Sequence, residues 1–212
     1  MREGVGVNTV VIRGNDLSYA VEVVLRGGLV GVPTETVYGL AGNGLDVSAV
    51  AAIYEAKGRP VVKPLSLLVA DMEAAAGVCS VIPESARLLA DAFWPGPLTI
   101  VLPRSNAVPD IVTAGGDTIG IRCPDHPKTL ELLRLAGVPL AAPSANASDQ
   151  PSPKSAEDVL AYFDGKIDCV IDGGICTLGV ESTLVLLSSD PEYYQILRKG
   201  ALPEEEIIKI LK

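Results

Sequence analysis

The sequence predicts a mixed α/β single domain, on three observations. Apolar runs too short for helices, such as residues 29–32 and 65–69, alternate with helix-length segments that carry start and stop signals. Gly and Pro punctuate nearly every junction. No internal repeat, heptad pattern or low-complexity linker interrupts the alternation, and 212 residues suffice for one substantial core.

In chain order, residues 7–13 read as a strand, and Asp16 or Ser18 can cap a helix running to about Arg26 and stopping at Gly27 and Gly28. Residues 29–32 form a buried strand that delivers Pro33, Thr34, Glu35 and Thr36 to its carboxyl end, the edge where open α/β sheets commonly bind ligands. Asp46 can cap a helix with apolar positions Val50, Ile53 and Tyr54 and a stop at Gly58. Pro60 then biases Arg59 toward extended backbone, which predicts that Lys57 and Arg59 share one face. With Lys63 they make three cations with no acid between them, a pattern suited to phosphates.

A second buried strand is expected at 65–69, then helices at 71–76 and 83–93, the latter with Pro83 in its first turn. FWPGPLT cannot be helical and reads as a rigid corner into a strand at 98–102, with Trp94 as a packing anchor. A strand at 119–122 and a helix at 125–136 ending at Gly137 follow. Residues 139–142 lead into the polar run SANASDQPSP, long enough to act as a lid. A helix at 155–163, a strand at 169–171, and a strand pair at 181–187 and 193–197 come next. Pro203 opens a final helix with Glu204, Glu205 and Glu206 in its first turn, where negative charge suits the dipole.

Composition narrows the function. A formal charge of -9 disfavours holding nucleic acid over a broad surface, but leaves room for a local cationic pocket. MREGVGVNTV has no long apolar run, so neither a signal peptide nor a membrane helix is indicated and a cytoplasmic location is the default. Cys79, Cys123, Cys169 and Cys176 lie far apart with no C-x-x-C pair, which predicts buried reduced thiols rather than zinc ligands. The single histidine, His126, sits at an expected helix start and cannot support a multi-histidine metal site. Nor is there a G-x-S-x-G elbow to hold a nucleophile.

Taken singly, the polar residues are ambiguous. Thr34 and Thr36 suit a strand as well as a ligand. Arg122 at a strand end is compatible with a surface ion pair, and Ser144, Asn146, Ser182 and Thr183 with turn caps. Their order is more telling. PTETVYGLA, K-x-R-P followed by KPL, WPGPLT, IGIR, SAN, GVEST and a final R-x-G together resemble the YrdC-like domain of threonylcarbamoyl-AMP synthases, from about Val10 to Gly200.

That resemblance implies a twisted, mostly open mixed sheet flanked by helices and curled around a concave basic cavity. It implies condensation of L-threonine, bicarbonate and ATP to threonylcarbamoyl-AMP with release of pyrophosphate, in a nucleotidyltransferase serving tRNA threonylcarbamoyladenosine synthesis beside the anticodon. A downstream threonylcarbamoyl transferase would take the product, so direct tRNA contact would be weak or indirect. By motif, Thr36, Arg122, Ala142 and Ser182 would bind threonine. Lys57, Arg59, Lys63, Thr118, Ser144, Asn146, Ser152 and Arg198 would bind ATP. Magnesium is expected mainly on the ATP phosphates, with no protein ligand named, and no general base is assigned; for Glu35 the pattern fits a base or a residue pointing away.

Two departures stand out. Leu68 falls where longer members often carry a polar residue near the threonine, and the chain ends about one helix after R-x-G, as in the short single-domain form. Rival readings are a carbamoyl-adenylating module like that of hydrogenase maturation, the paralogous branch that tends to lose SAN, and a non-catalytic RNA-binding module.

Overall fold

The computed structural model describes residues 8–188 and 193–212. Ten strands form one mixed sheet. They are β1 (Val10–Ile12), β2 (Val30–Val32), β3 (Gly39–Asn43), β4 (Ser66–Leu68), β5 (Leu98–Pro103), β6 (Thr118–Arg122), β7 (Leu140–Ala141), β8 (Cys169–Ile171), β9 (Thr183–Leu187) and β10 (Tyr194–Arg198). Their spatial order is β1-β8-β2-β3-β7-β4-β6-β5-β9-β10. Parallel pairs (β1 and β2 with β8, β4 with β6, β5 with β9) are mixed with antiparallel ones.

The helices are α1 (Ser18–Leu25), α2 (Val47–Lys57), α3 (Met72–Val78), α4 (Glu84–Phe93), α5 (Asp110–Thr113), α6 (Pro127–Ala136), α7 (Ala156–Phe163) and α8 (Glu204–Leu211). Local signals explain several of their ends. Asp46 accepts from the amides of Ser48 and Ala49, Asp71 from Ala74, and Ser155 from Asp158. Gly58 and Gly137 close α2 and α6 in the left-handed conformation, at φ 58 and 66. Pro83 precedes α4 as its cap rather than sitting inside its first turn. Val7, the expected first residue of β1, lies outside the described residues.

Alternation along the strands sorts the core onto two faces. Leu67, Ile100, Ile121, Val170 and Val185 pack with Ile53, Leu89, Val159, Phe163 and Ile207 from α2, α4, α7 and α8. Val30, Val32, Ala41, Leu68, Leu140, Cys169 and Ile171 pack with Val23, Val24, Leu132 and Leu133 from α1 and α6. Trp94 rests against the first cluster and donates its indole N–H to Leu98 O at 2.7 Å. All four cysteines are free and buried, and burial pushes Cys79 and Cys123 up to about 11 and Cys169 to about 12. Among the described residues, no helix is long and apolar enough to cross a membrane.

Candidate active site

A cavity of ≈ 340 Å³ is lined by residues of β4, β5, β6 and β9 and by the segments that follow β2 and β7. Ser66 and Leu68, two apart in β4, both line it, so they point to one face. Arg122 lies in register with Leu68, and Thr99 with Leu184, and all of these also line the cavity. Its floor is therefore a sheet face. The expected location, a carboxyl strand edge, describes only the rim that Thr34 and Thr36 supply beyond β2.

Thr34 shapes that rim. Its hydroxyl donates to Val37 O at 2.7 Å, accepts from the amides of Thr36 and Val37 at 3.2 Å, and lies 2.9 Å from Thr36 Oγ1. Since the one Thr34 proton goes to Val37, Thr36 is the donor between the two hydroxyls, and its oxygen is left to accept from a ligand.

Arg122 ends β6 and is 7% exposed. Its Nη2 donates to Glu35 Oε1 at 2.6 Å and its Nε to Gly96 O at 3.0 Å. Burial lowers the guanidinium pKa and the Glu35 charge opposes that. Glu35 is not part of the cavity lining and is held in this pair. Elsewhere in the lining Ser182 Oγ sits 2.8 Å from Thr99 Oγ1, and Arg198 donates to Ser182 O from Nε at 3.1 Å and from Nη2 at 2.9 Å. Arg198 Nη1 pairs with Glu181 at 2.7 Å, and Glu181 accepts from Ser152 Oγ at 3.2 Å.

Thr36, Arg59, Arg122, Ala142, Ser144, Ser182 and Arg198 all line the cavity. Other expected members do not. Lys57 is buried, 3% exposed, with its ammonium donating to the carbonyls of Ser144 and Asn146. It does not share a face with Arg59, because it is still helical and Gly58 is left-handed, so the chain between them is not extended. Burial, with the Arg59 charge nearby, pulls Lys57 down to about 8. Asn146 is turned into its own loop, donating to Ala147 O at 3.0 Å and Gln150 O at 2.6 Å. Lys63 is exposed and sits 3.7 Å from Asp149. Thr118 is exposed at the far end of β6, about 13 Å along the strand from Arg122. Ser152 reaches the cavity wall only through Glu181.

The SANASDQPSP run is pinned rather than lid-like. Ala145 N donates to Tyr38 O, Tyr38 N to Pro153 O, and Ser148 N to Lys57 O, at 2.8, 2.9 and 3.0 Å. Tyr38 also bridges Gly173 and Gly174 through its hydroxyl, and burial pushes that hydroxyl up to about 12. His126 lies outside the cavity, with Nε2 3.4 Å from Gly173 O. Sequence reasoning missed Glu181, Thr99 and Tyr38; the E of GVEST was the available signal for the first.

Gly200 of R-x-G holds Arg198 against the GVEST turn. A Cβ there would lie 2.4 Å from Glu181 O and 2.5 Å from Ser182 O, both backbone atoms that cannot yield cheaply. Gly200→Ala is therefore expected to cost about 1–3 kcal/mol. Thermal unfolding checks it; an unchanged Tm would mean the two segments separate freely.

A family model named Sua5_yciO_yrdC, described as telomere recombination, matches residues 22–200. The chain belongs to the Sua5/YciO/YrdC family. Among its Sua5/YciO/YrdC relatives, the threonylcarbamoyl-AMP synthase of Pyrococcus abyssi is 50% identical over 188 residues, 89% of this chain and 55% of that protein. The threonylcarbamoyl-AMP synthase of Bacillus subtilis is 43% identical over 196 residues, 92% of this chain and 56% of that one. The crystal structure of P. abyssi Sua5 complexed with L-threonine matches with TM-score 0.90 and 47% identity, covering 95% of this chain and 60% of that one. The chain thus spans about half the length of these two relatives.

Proposed function

We propose that this protein is a nucleotidyltransferase that condenses L-threonine, bicarbonate and ATP to threonylcarbamoyl-AMP, releasing pyrophosphate and water. The observation that carries the reading is one cavity with two kinds of anion site. Arg122, backed by Glu35, shares the cavity lining with Thr36 and Ser182, a set suited to the carboxylate and polar groups of a small hydroxy amino acid. Arg59 and Arg198 also line the cavity, with Arg198 bonded to Ser182, and their guanidiniums are suited to a triphosphate.

The chemistry asks mainly for positioning. The threonine nitrogen attacks the carbon of CO₂ formed from bicarbonate with loss of water, and loses a proton to give a carbamate. A carbamate oxygen then attacks the α-phosphorus in line, and the bond to the pyrophosphate oxygen breaks. Arg122 and the two hydroxyls fix the nucleophile, while Arg59 and Arg198 stabilise charge on the phosphate oxygens. Glu181 is the carboxylate in the cavity wall among the described residues, and no group of three or more His, Cys, Asp or Glu gathers there to hold a metal. This donor set fits magnesium carried on phosphates and water, where it would supply charge neutralisation, with Glu181 able to accept from its water shell.

The product would pass to a threonylcarbamoyl transferase that modifies tRNA in the cytoplasm, and direct tRNA contact would be slight given the net charge of -9. Pyrophosphate release from ATP and magnesium is the test, with threonine and bicarbonate supplied together and then each omitted. Release that needs both is expected. Release without threonine, or none alongside tight tRNA binding, would overturn the reading.

A further inference from the structure

Glu35 is a buried acid that the proposed chemistry does not use. It is 7% exposed and lies between two residues, Thr34 and Thr36, that line the cavity, yet it is not itself part of the wall. Both of its oxygens are committed across the fold. Oε1 takes Arg122 Nη2 at 2.6 Å and Oε2 takes the Asp125 amide at 3.0 Å. Its own carbonyl accepts from Leu178 N at 2.8 Å. One residue therefore joins the turn after β2, the end of β6, the approach to α6 and the loop that leads to Ser182.

We propose that Glu35 is a positioning residue for the amino-acid half of the site, an inference that rests on the function proposed above. With Nη2 on Glu35 and Nε on Gly96 O, the guanidinium plane is fixed and one edge is left for a substrate carboxylate. The same residue fixes that edge relative to Thr36, its chain neighbour, and so sets the spacing between the group that binds a carboxylate and the group that binds a hydroxyl or amine. Its charge also matters. It neutralises Arg122 in the empty site, so an incoming carboxylate meets an oriented fork rather than a free cation that could collapse onto other acceptors.

Glu35→Gln isolates this role because it keeps the size of the side chain. A carboxylate can accept on both oxygens, but an amide accepts on only one, so whichever way it turns an NH₂ group faces either Arg122 or the Asp125 amide. The expected result is a threonine KM raised about tenfold or more, kcat within about twofold, and an ATP Kd, measured by calorimetry without threonine, unchanged. In an Arg122→Lys background, where the fork is already gone, the same substitution should change threonine KM by less than about threefold. Equal losses for both substrates, a fall in Tm without a threonine effect, or full additivity with Arg122→Lys would each overturn the proposal. Failure of the proposed function would show separately, as wild-type protein that releases no pyrophosphate in response to threonine.

Discussion

Replacing Arg122 by Met is expected to weaken threonine binding by about 2–5 kcal/mol, roughly 30- to 4,000-fold, and to destabilise the protein as well. The two losses have separate causes. Binding falls because the forked donor for the substrate carboxylate is gone. Stability falls because Glu35 is left buried with only the Asp125 amide for a partner, and breaking a buried pair from one side typically costs about 3–5 kcal/mol. Adding Glu35→Gln separates them. The double variant has no unpaired buried charge, so most of the stability returns, while threonine binding stays lost. Calorimetric titration with threonine and thermal unfolding of all three proteins check this. A double variant that regains binding would show that Arg122 acts only on the fold; one that stays as unstable as Arg122→Met would show that the unpaired carboxylate is not what costs stability.

The pair at the centre of that prediction was half legible in the sequence. Arg122 stood out as a charged residue at the end of an apolar strand, and the IGIR motif gave it a candidate role. Glu35 could not be matched to it, because the two are 87 residues apart and only the β2 turn and the end of β6 bring them together. Local chemistry carried the helices well: Asp46, Asp71 and Ser155 cap where short polar residues meet apolar periodicity, and Gly58 and Gly137 end their helices with a left-handed turn. The strand β3 was missed for an equally local reason. Its sequence, GLAGN, has two glycines and no β-branched residue, and it exists because β2 and β7 pair with it on either side. The cavity floor shows the same limit. Ser66, Thr99, Arg122 and Leu184 share a face only once four strands are in register, and pairing register across the sheet is invisible to composition and spacing.

Lys57 supplies the second large effect, through the part of the cavity proposed to hold the nucleotide. It ends α2 and its ammonium holds the carbonyls of Ser144 and Asn146, so it fixes the loop whose Ser144 lines the cavity. Lys57→Met leaves both carbonyls without that donor, and about 2–4 kcal/mol of stability is expected to go at pH 7, with ATP KM rising as the loop loosens. The pH dependence identifies the cause. Burial holds the folded-state value at about 8 against an ordinary 10.5, so between those limits the unfolded chain binds the extra proton and stability rises with pH. Below about 8 both states are protonated and the desolvation cost is present in full; above 10.5 it is gone. A neutral amine still has two N–H donors, enough for both carbonyls, so the tie survives deprotonation. The wild-type protein should therefore gain stability over Lys57→Met as pH rises from 8 toward 10.5. Cysteines and tyrosines titrate in both proteins and cancel in the comparison. Denaturant unfolding of the pair at several pH values reads the difference directly, and a difference that stays flat across this window would mean that Lys57 keeps its proton and that burial does not govern it.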